Sequence, residues 1–518
     1  MTSPLFKKIL IANRGEIALR VVRTCKKLGI KTAAVYSDAD VESTHVRVAD
    51  EAYSVGPAPA NESYLNQDRI LSVASKCKAE AIHPGYGFLA ESPSFMRACE
   101  DKGLTFIGPS SMNAQLLGSK LEAKRTMARA GIPVIPASED AVQSEDDLVT
   151  ASKDLGFPVL IKAVYGGGGR GLRLAHNIKE ARRFYDVTKT EARSAFASPE
   201  IYVEKYFKKP RHVEVQVLAD KHGNIVHLGE RECSIQRRHQ KLMEEAPSPA
   251  VNSEIRKRLV TSAVRGVRAA SYENAGTVEF LLDSSKRHYF LEVNKRLQVE
   301  HLVTEMTTGV DIVEQQIRIA GGEHLAFRQG DIEVNGWAIN CRINAEDPTA
   351  GFSPSPGRVV SYVPPGGPGI RVDSALYSGC IIPEYYDSLI AKVAAWGASR
   401  SEAVSRLTTA LDEIVIDGIA TTVPVYKAIL RNPTFRRGEI DTHFIEDHLP
   451  SRLQRSSLSG DEAAALSAAF ASALGIVQLT RAPGPRGTVQ QQTKWVMSGR
   501  RDATEAREMR GSRYFETI

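Results

Sequence analysis

Several large functional classes are excluded by what the chain lacks. Its six cysteines (Cys25, Cys77, Cys99, Cys233, Cys341, Cys380) are scattered without a C-x-x-C pair. That disfavours zinc ribbons and disulfide scaffolds and suits a reducing cytoplasm. A bilayer span needs about 20 strongly apolar residues; the longest uncharged run, 463–480, is Ala/Ser-rich and reads as a surface helix. Residues 1–8 lead straight into a strand-like Ile9-Leu10-Ile11, so no secretory leader is expected. Net charge is only +6, and +4 of it lies in residues 451–518, where ten Arg/Lys face six Asp/Glu. The nearly neutral body offers little to nucleic acid. The first strand–helix turn, Ala12-Asn13-Arg14-Gly15-Glu16, lacks G-x-G-x-x-G, which disfavours a dinucleotide site.

What is present has a clear order. At 518 residues the chain exceeds one ordinary core, so two to four domains are expected. Residues 8–12 and 31–37 read as strands, 15–28 as a helix stopped by Gly29, 67–78 and 92–102 as helices, and 80–83 and 104–108 as strands. Repeated strand–helix units with short connections predict a parallel sheet covered on both faces. A smaller, lid-like region spans about 134–206, with glycines at its centre, and 207–335 is richer in strands. A Pro/Gly-rich stretch, 354–369, precedes a helix over 401–412. Beyond 450 the composition turns to Ala/Ser and then Arg/Gln/Gly, an appended segment that reads as helical over 461–474.

Three strings carry chemistry. Gly166-Gly167-Gly168-Gly169 follows Lys162 and the apolar run 157–161, and Arg170 follows it. Such glycines let the backbone close over a polyanion and aim N–H groups at phosphate oxygens. Lys162, at the strand end, adds a point charge. The order is not that of a Walker loop, and the flanking cations favour phosphate binding over a plain turn. Next, two strands at 277–282 and 288–293 flank Asp283-Ser284-Ser285-Lys286-Arg287. A hairpin centred between Ser285 and Lys286 sets Glu279 opposite Glu292, where like charges destabilise a plain sheet. A cation is therefore expected there, and with Asn294 close by the oxygen donors suit Mg²⁺ bridging nucleotide phosphates. The strand pattern then continues through Asn294-Lys295-Arg296-Leu297-Gln298-Val299-Glu300. Period two puts Asn294, Arg296, Gln298 and Glu300 on one face and turns Lys295 away. Guanidinium, amide and carboxylate are the groups that seat a planar oxyanion and take its proton. The basic string Arg237-Arg238-His239-Gln240-Lys241 is followed at once by Glu244 and Glu245 and has no interleaved aromatics, unlike a nucleic-acid patch. His83-Pro84-Gly85-Tyr86-Gly87 opens a strand-end loop, where open α/β sheets place ligands.

Together these strings resemble the biotin carboxylase family of ATP-grasp enzymes over about residues 5–450. They are joined by Ile11-Ala12-Asn13-Arg14-Gly15-Glu16, Glu204-Lys205-Tyr206, Arg211-His212-Val213-Glu214 and residues 341–348. The resemblance implies an α/β architecture: a Rossmann-like N-terminal domain (1–118), an ATP-grasp domain (119–335) with a mobile lid (about 134–206), and a mixed α+β C-terminal domain (336–450). An accessory tail (451–518), suited to subunit docking, falls outside it. The same resemblance implies that Lys120, Lys162, Gly168 and Gly169 bind ATP phosphates. Glu204, Lys205 and Phe207 would form the adenine hinge, with His212, His239 and Leu281 in the same site. Glu279, Glu292 and Asn294 would hold Mg²⁺ or Mn²⁺. Lys241, Arg296, Gln298 and Val299 would seat bicarbonate, and Glu300 would deprotonate it. Arg342 would stabilise the biotin enolate, with Tyr86 near the biotin ring.

None of the eight methionines is followed by lysine, the biotin-acceptor pair of relatives. Biotin is therefore expected on a separate carrier protein, with carboxyltransferase subunits as further partners. This implies a cytoplasmic biotin carboxylase subunit of an acetyl- or propionyl-CoA carboxylase, with a two-subunit pyruvate carboxylase as the closest variant. A homodimer is expected, although Lys27 stands near the family's dimer contact where relatives are often acidic. The rival readings are a different ATP-grasp ligase and a non-enzymatic assembly protein. Loss of the carboxylates or of Lys162 would mark the latter, and all are present.

Overall fold

The computed structural model describes residues 5–165, 171–196 and 198–449. Gly168, Gly169 and the helix expected over 461–474 lie outside the described residues. The chain is α/β. Its first sheet is parallel, in the order Glu51–Ser54, Lys31–Tyr36, Lys8–Ile11, Ala81–His83, Thr105–Phe106. Ile9 and Ile11 pack with Ile17, Val21 and Val22 of helix Gly15–Lys27, while Leu10 packs on the other side with Ile70, Val73 and Phe95. Both faces are thus covered, which is why this strand is apolar without alternation. The edge strand Glu51–Ser54 has no such run and escapes a reading by pattern.

Three further strands form an antiparallel sheet, ordered Leu172–Ala175, Val159–Ala163, Ile201–Lys205. Val159, Ile161 and Ala163 alternate into a core shared with Leu148 of helix Glu145–Leu155 and Ala181 and Tyr185 of helix Ile178–Phe196. Lys162 is left on the opposite face.

The third sheet organises the site. Its strands, numbered in chain order, are β1 (Arg211–Ala219), β2 (Ile225–Arg237), β3 (Gln240–Ala246), β4 (Asn274–Leu282), β5 (His288–Asn294), β6 (Trp337–Asn344), β7 (Ile370–Ser374) and β8 (Leu389–Gly397). They are antiparallel in the order β5-β4-β1-β2-β3-β6-β8-β7. Helix Arg400–Glu413 covers the β6–β8 end through Val404, Leu407 and Leu411. Among the described residues no helix is long and apolar enough to cross a membrane.

Two expectations need correction here. Glu279 does pair with Glu292, but the hairpin is centred on Ser285, with Phe280 opposite Phe290 and Leu282 opposite His288. An extra residue, Leu291, bulges out before the pair forms. The bulge inverts the alternation, so Phe290 enters the core while Glu292 joins the face of Glu279. Secondly, the strand does not run on to Glu300: β5 ends at Asn294, and 295–300 is a turn feeding helix His301–Thr308. The Lys295 N–H, which a ladder would use, is donated to the Glu91 carboxylate at 3.2 Å.

Candidate active site

A row of ionisable side chains crosses the third sheet. Arg231 on β2 lies opposite Glu214 on β1, which lies opposite Glu279 on β4, which lies opposite Glu292 on β5. Directly paired residues share a face. Arg231 is fully buried, and its guanidinium donates to Glu214, to Gln216 and Thr304 (2.8 and 2.9 Å) and to Thr277 (3.1 Å).

Lys241 reaches into this row from β3. Its Nζ lies 2.5 Å from Glu214, 2.7 Å from Glu279 and 2.8 Å from Glu300. Burial works against its charge, but Cys233 and the three carboxylates raise its pKa well above the ordinary lysine value. Glu300 is fully buried, and its second oxygen accepts from Arg342 Nη2 at 2.8 Å. Burial disfavours the Glu300 carboxylate, yet Lys241, Arg342 and Arg231 hold it well below the usual range. Arg342 is itself steadied by Glu244, which accepts from its Nε at 2.5 Å.

Asn294, Arg296 and Gln298 do converge as expected. Asn294 and Gln298 donate to Glu279 at 2.6 and 3.1 Å, and Arg296 donates to Asn294 Oδ1 at 3.1 Å and Gln298 Oε1 at 2.8 Å. Lys295 is not turned away: it is buried, and its Nζ lies 3.6 Å from Glu91, the carboxylate that also accepts from Arg296 at 3.0 Å. Without a strand at 295–300, alternation does not govern its direction.

The facing carboxylates behave differently. Glu279 also accepts from His212 at 2.8 Å; burial opposes its charge, but Lys241 and His212 hold it far below the ordinary range. Glu292 is pushed up by burial and by Glu279, with Lys120 offsetting part of the effect. The oxygens of Glu279, Glu292 and Asn294 are hard donors, and a carboxylate held at a charge it resists fits a divalent cation of the Mg²⁺ type. A second grouping, His212 with Glu214 and Glu279, also has ligand atoms close enough to hold an ion, but there both Arg231 and Lys241 already neutralise Glu214.

At the other end, Glu204 is buried between Lys162 at 3.0 Å and Lys124 at 3.3 Å and accepts from Tyr202 Oη at 2.8 Å. Burial opposes its charge, but Lys124 and Lys162 hold its pKa down at about 2. Lys124 in turn is lowered to about 8 by burial. Lys120 opens helix Lys120–Arg129 and is lowered by burial, against the pull of Glu292. Lys205 spends its ammonium on the carbonyls of Leu155 and Gly156, at 3.0 and 2.7 Å, and its backbone N–H on the Pro136 carbonyl at 2.8 Å. Phe207 lies against Tyr289, with ring centroids 4.9 Å apart, and Leu281 pairs with Tyr289 on one side and His212 on the other. His239 sits in the exposed β2–β3 turn in a left-handed conformation, φ 64°. Tyr86 is half-buried, its ring 5.6 Å from Lys392 Nζ.

Glu214, Arg231, Glu244, Glu91 and Lys124 were not among the expected site residues. Glu214 stands two residues from His212 on one strand, a period-two signal that could have found it. Lys124 stands one helical turn from Lys120 on the same helix, a local signal as well; Arg231, Glu244 and Glu91 are joined to the site by long-range contacts.

Comparison with known proteins agrees with this geometry. Residues 5–113 match the family described as "Biotin carboxylase, N-terminal domain", 119–328 match "Carbamoyl-phosphate synthase L chain, ATP binding domain", and 340–447 match "Biotin carboxylase C-terminal domain". Biotin carboxylase 1 of Bacillus subtilis is 51% identical over 445 residues, 86% of this chain and 99% of that protein. A pyruvate carboxylase subunit of Methanothermobacter thermautotrophicus is 50% identical over 483 residues, 90% of this chain and 98% of that protein. The biotin carboxylase domain of Hydrogenobacter thermophilus 2-oxoglutarate carboxylase was solved as a dimer with MgADP, ADP and bicarbonate. It superposes with a TM-score of 0.84 at 49% identity, covering 86% of this chain and 98% of that one. Fold and site together define an ATP-dependent carboxylating ligase. The chain belongs to the biotin carboxylase family.

Proposed function

We propose that the chain is the biotin carboxylase subunit of a multi-subunit acetyl-CoA or propionyl-CoA carboxylase, acting on biotin carried by a separate protein. The observation that carries the half-reaction is the Lys241 centre, where one buried ammonium holds Glu214, Glu279 and Glu300. In this reading residues 1–118, 119–335 (lid about 134–206) and 336–450 are the N-terminal, ATP-grasp and C-terminal domains, and 451–518 docks partner subunits.

Lys120, Lys162, Gly168 and Gly169 bind the ATP phosphates, and Glu204, Lys205, Phe207, His212, His239 and Leu281 hold its base and sugar end. Glu279, Glu292 and Asn294 hold Mg²⁺ or Mn²⁺, which neutralises charge on the phosphates. Lys241, Arg296, Gln298 and the Val299 backbone seat bicarbonate. Glu300 takes its proton, and its ionised state is what Lys241 and Arg342 enforce. The bicarbonate oxygen attacks the γ-phosphorus, ADP leaves, and carboxyphosphate breaks to CO₂ and phosphate. The released phosphate takes the biotin N1 proton, Arg342 stabilises the resulting enolate, and N1 attacks CO₂, with Tyr86 beside the ring. Water exclusion matters because carboxyphosphate hydrolyses readily.

The 518 residues contain no Met-Lys pair, which supports a separate carrier. A two-subunit pyruvate carboxylase is the second reading, favoured by the 50% identity to the Methanothermobacter pyruvate carboxylase subunit. A homodimer is proposed by analogy with the Hydrogenobacter domain. Bicarbonate-dependent ATP hydrolysis stimulated by free biotin tests the half-reaction, and absence of stimulation overturns it. Reconstitution with carrier and transferase, offering acetyl-CoA, propionyl-CoA and pyruvate in turn, decides the acceptor. If a chain ending at Pro450 assembles as well as the full chain does, the tail has no docking role.

A further inference from the structure

A second buried lysine touches the turn that leads into Glu300. Lys392 on β8 is fully buried, and its Nζ donates to the Val299 carbonyl at 3.2 Å. Its counter-charges are Glu16 Oε2 at 3.1 Å, from helix Gly15–Lys27, and Asp373 Oδ2 at 3.7 Å, from β7. Across the β6–β8 ladder Lys392 lies directly opposite Arg342, and across β7–β8 directly opposite Asp373. Two cations facing each other on neighbouring strands are unfavourable in a plain sheet. Here each grips one of two consecutive residues: Arg342 takes the Glu300 carboxylate, and Lys392 takes the Val299 carbonyl. Residues 295–300 have no strand ladder to fix them; Glu91 and Glu279 hold the start and middle of the turn through Lys295, Arg296 and Gln298, and Lys392 and Arg342 hold its end at Val299 and Glu300. A misplacement of about 1 Å in such a segment costs up to about 10²-fold in rate.

We propose that Lys392 is a positioning residue for bicarbonate: by holding the Val299 carbonyl it sets the turn that presents Gln298 and Val299 to the anion and Glu300 to its proton. This rests on the proposed function of the site. The test compares wild type and Lys392→Met for ADP affinity, thermal unfolding and the kinetics of bicarbonate-dependent ATP hydrolysis. The expected result is a folded variant whose ADP affinity and KM for ATP stay within about 2-fold while KM for bicarbonate rises at least about 10-fold. Unchanged KM for bicarbonate in a folded variant, or equal losses toward ATP and bicarbonate, would overturn it. Should Lys392→Met fail to fold, Lys392→Gln is read the same way, and failure of both to fold assigns Lys392 to stability alone and overturns the proposal. No bicarbonate dependence in the wild type sinks the functional reading itself, a distinct outcome from a variant that behaves like a responsive wild type.

Discussion

Two buried charge clusters in this protein are near mirror images of each other. Around Glu204, one carboxylate is shared by Lys124 and Lys162; around Lys241, one ammonium is shared by Glu214, Glu279 and Glu300. Buried charges are costly; around Glu204 the lysines outnumber the carboxylate, whereas around Lys241 the extra carboxylates are met by Arg231 on Glu214 and Arg342 on Glu300. Under the proposed function the lysine-rich end would meet the polyanionic phosphates of ATP. The carboxylate-rich end, with Arg231, Arg342 and Arg296 set around it, would under the same reading meet both the metal ion and bicarbonate. Like-charged side chains held together in one place are a cost to folding that the bound charges of the reaction would relieve.

The sharpest way to break this contrast is Lys241→Met. Removing the shared ammonium leaves Glu214 and Glu300 to Arg231 and Arg342 alone and Glu279 to His212; breaking a buried ion pair costs about 3–5 kcal/mol, and bicarbonate-dependent ATP hydrolysis is expected to fall about 10³-fold or more. Lys162→Met at the other cluster leaves Lys124 on Glu204, so its thermal unfolding is expected to shift less. Equal shifts in the two variants would dissolve the contrast. Glu300→Gln separates binding from chemistry: MgADP affinity by calorimetry is expected to hold while biotin carboxylation drops by about 10²–10⁴. Wild-type turnover would remove Glu300 from the mechanism.

Acid titration probes the lysine-rich end. Glu204 is depressed from 4.5 to about 2, so the unfolded chain binds its proton first as the pH falls. Its stabilising contribution is complete above about pH 4.5 and is lost toward pH 2, at most about 3 kcal/mol in all. The unfolding deficit of Glu204→Gln relative to wild type should therefore shrink between pH 5 and pH 3, and a deficit that grows would contradict the pairing. The smallest effect is expected from Glu292→Gln. Losing one oxygen donor should raise the Mg²⁺ concentration for half-maximal activity about 10-fold, and relief of the facing charges should raise stability slightly. An unaltered Mg²⁺ requirement would place the metal elsewhere.

Sequence legibility followed chain distance. Glu279 and Glu292 could be paired because a short hairpin joins them, even though the bulge at Leu291 was invisible and two offsets of one residue cancelled. Arg296, Gln298 and Glu300 share a strand period that the backbone abandons after Asn294; they still converge because hydrogen bonds to Asn294 and Glu279 hold Arg296 and Gln298, and Lys241 and Arg342 hold Glu300. The Lys295 prediction failed for the same reason. Glu244 with Arg342 and Lys392 with Val299 are 98 and 93 residues apart, and no local period points from one to the other. The parallel sheet was readable from its buried central strand, and its polar edge strand was not.

The ladder between β3 and β6, Met243 opposite Cys341 and Glu244 opposite Asn340, bears on how far the chain can be divided. The reactive groups follow strand order across one continuous sheet, whereas family boundaries follow chain order and fall between 328 and 340. A cut there would pass through a hydrogen-bonded seam and bare the edge of β3, a ready template for intermolecular pairing. The halves are therefore not interchangeable modules: graft either onto a relative's counterpart, and the first thing that must match is the edge of a sheet.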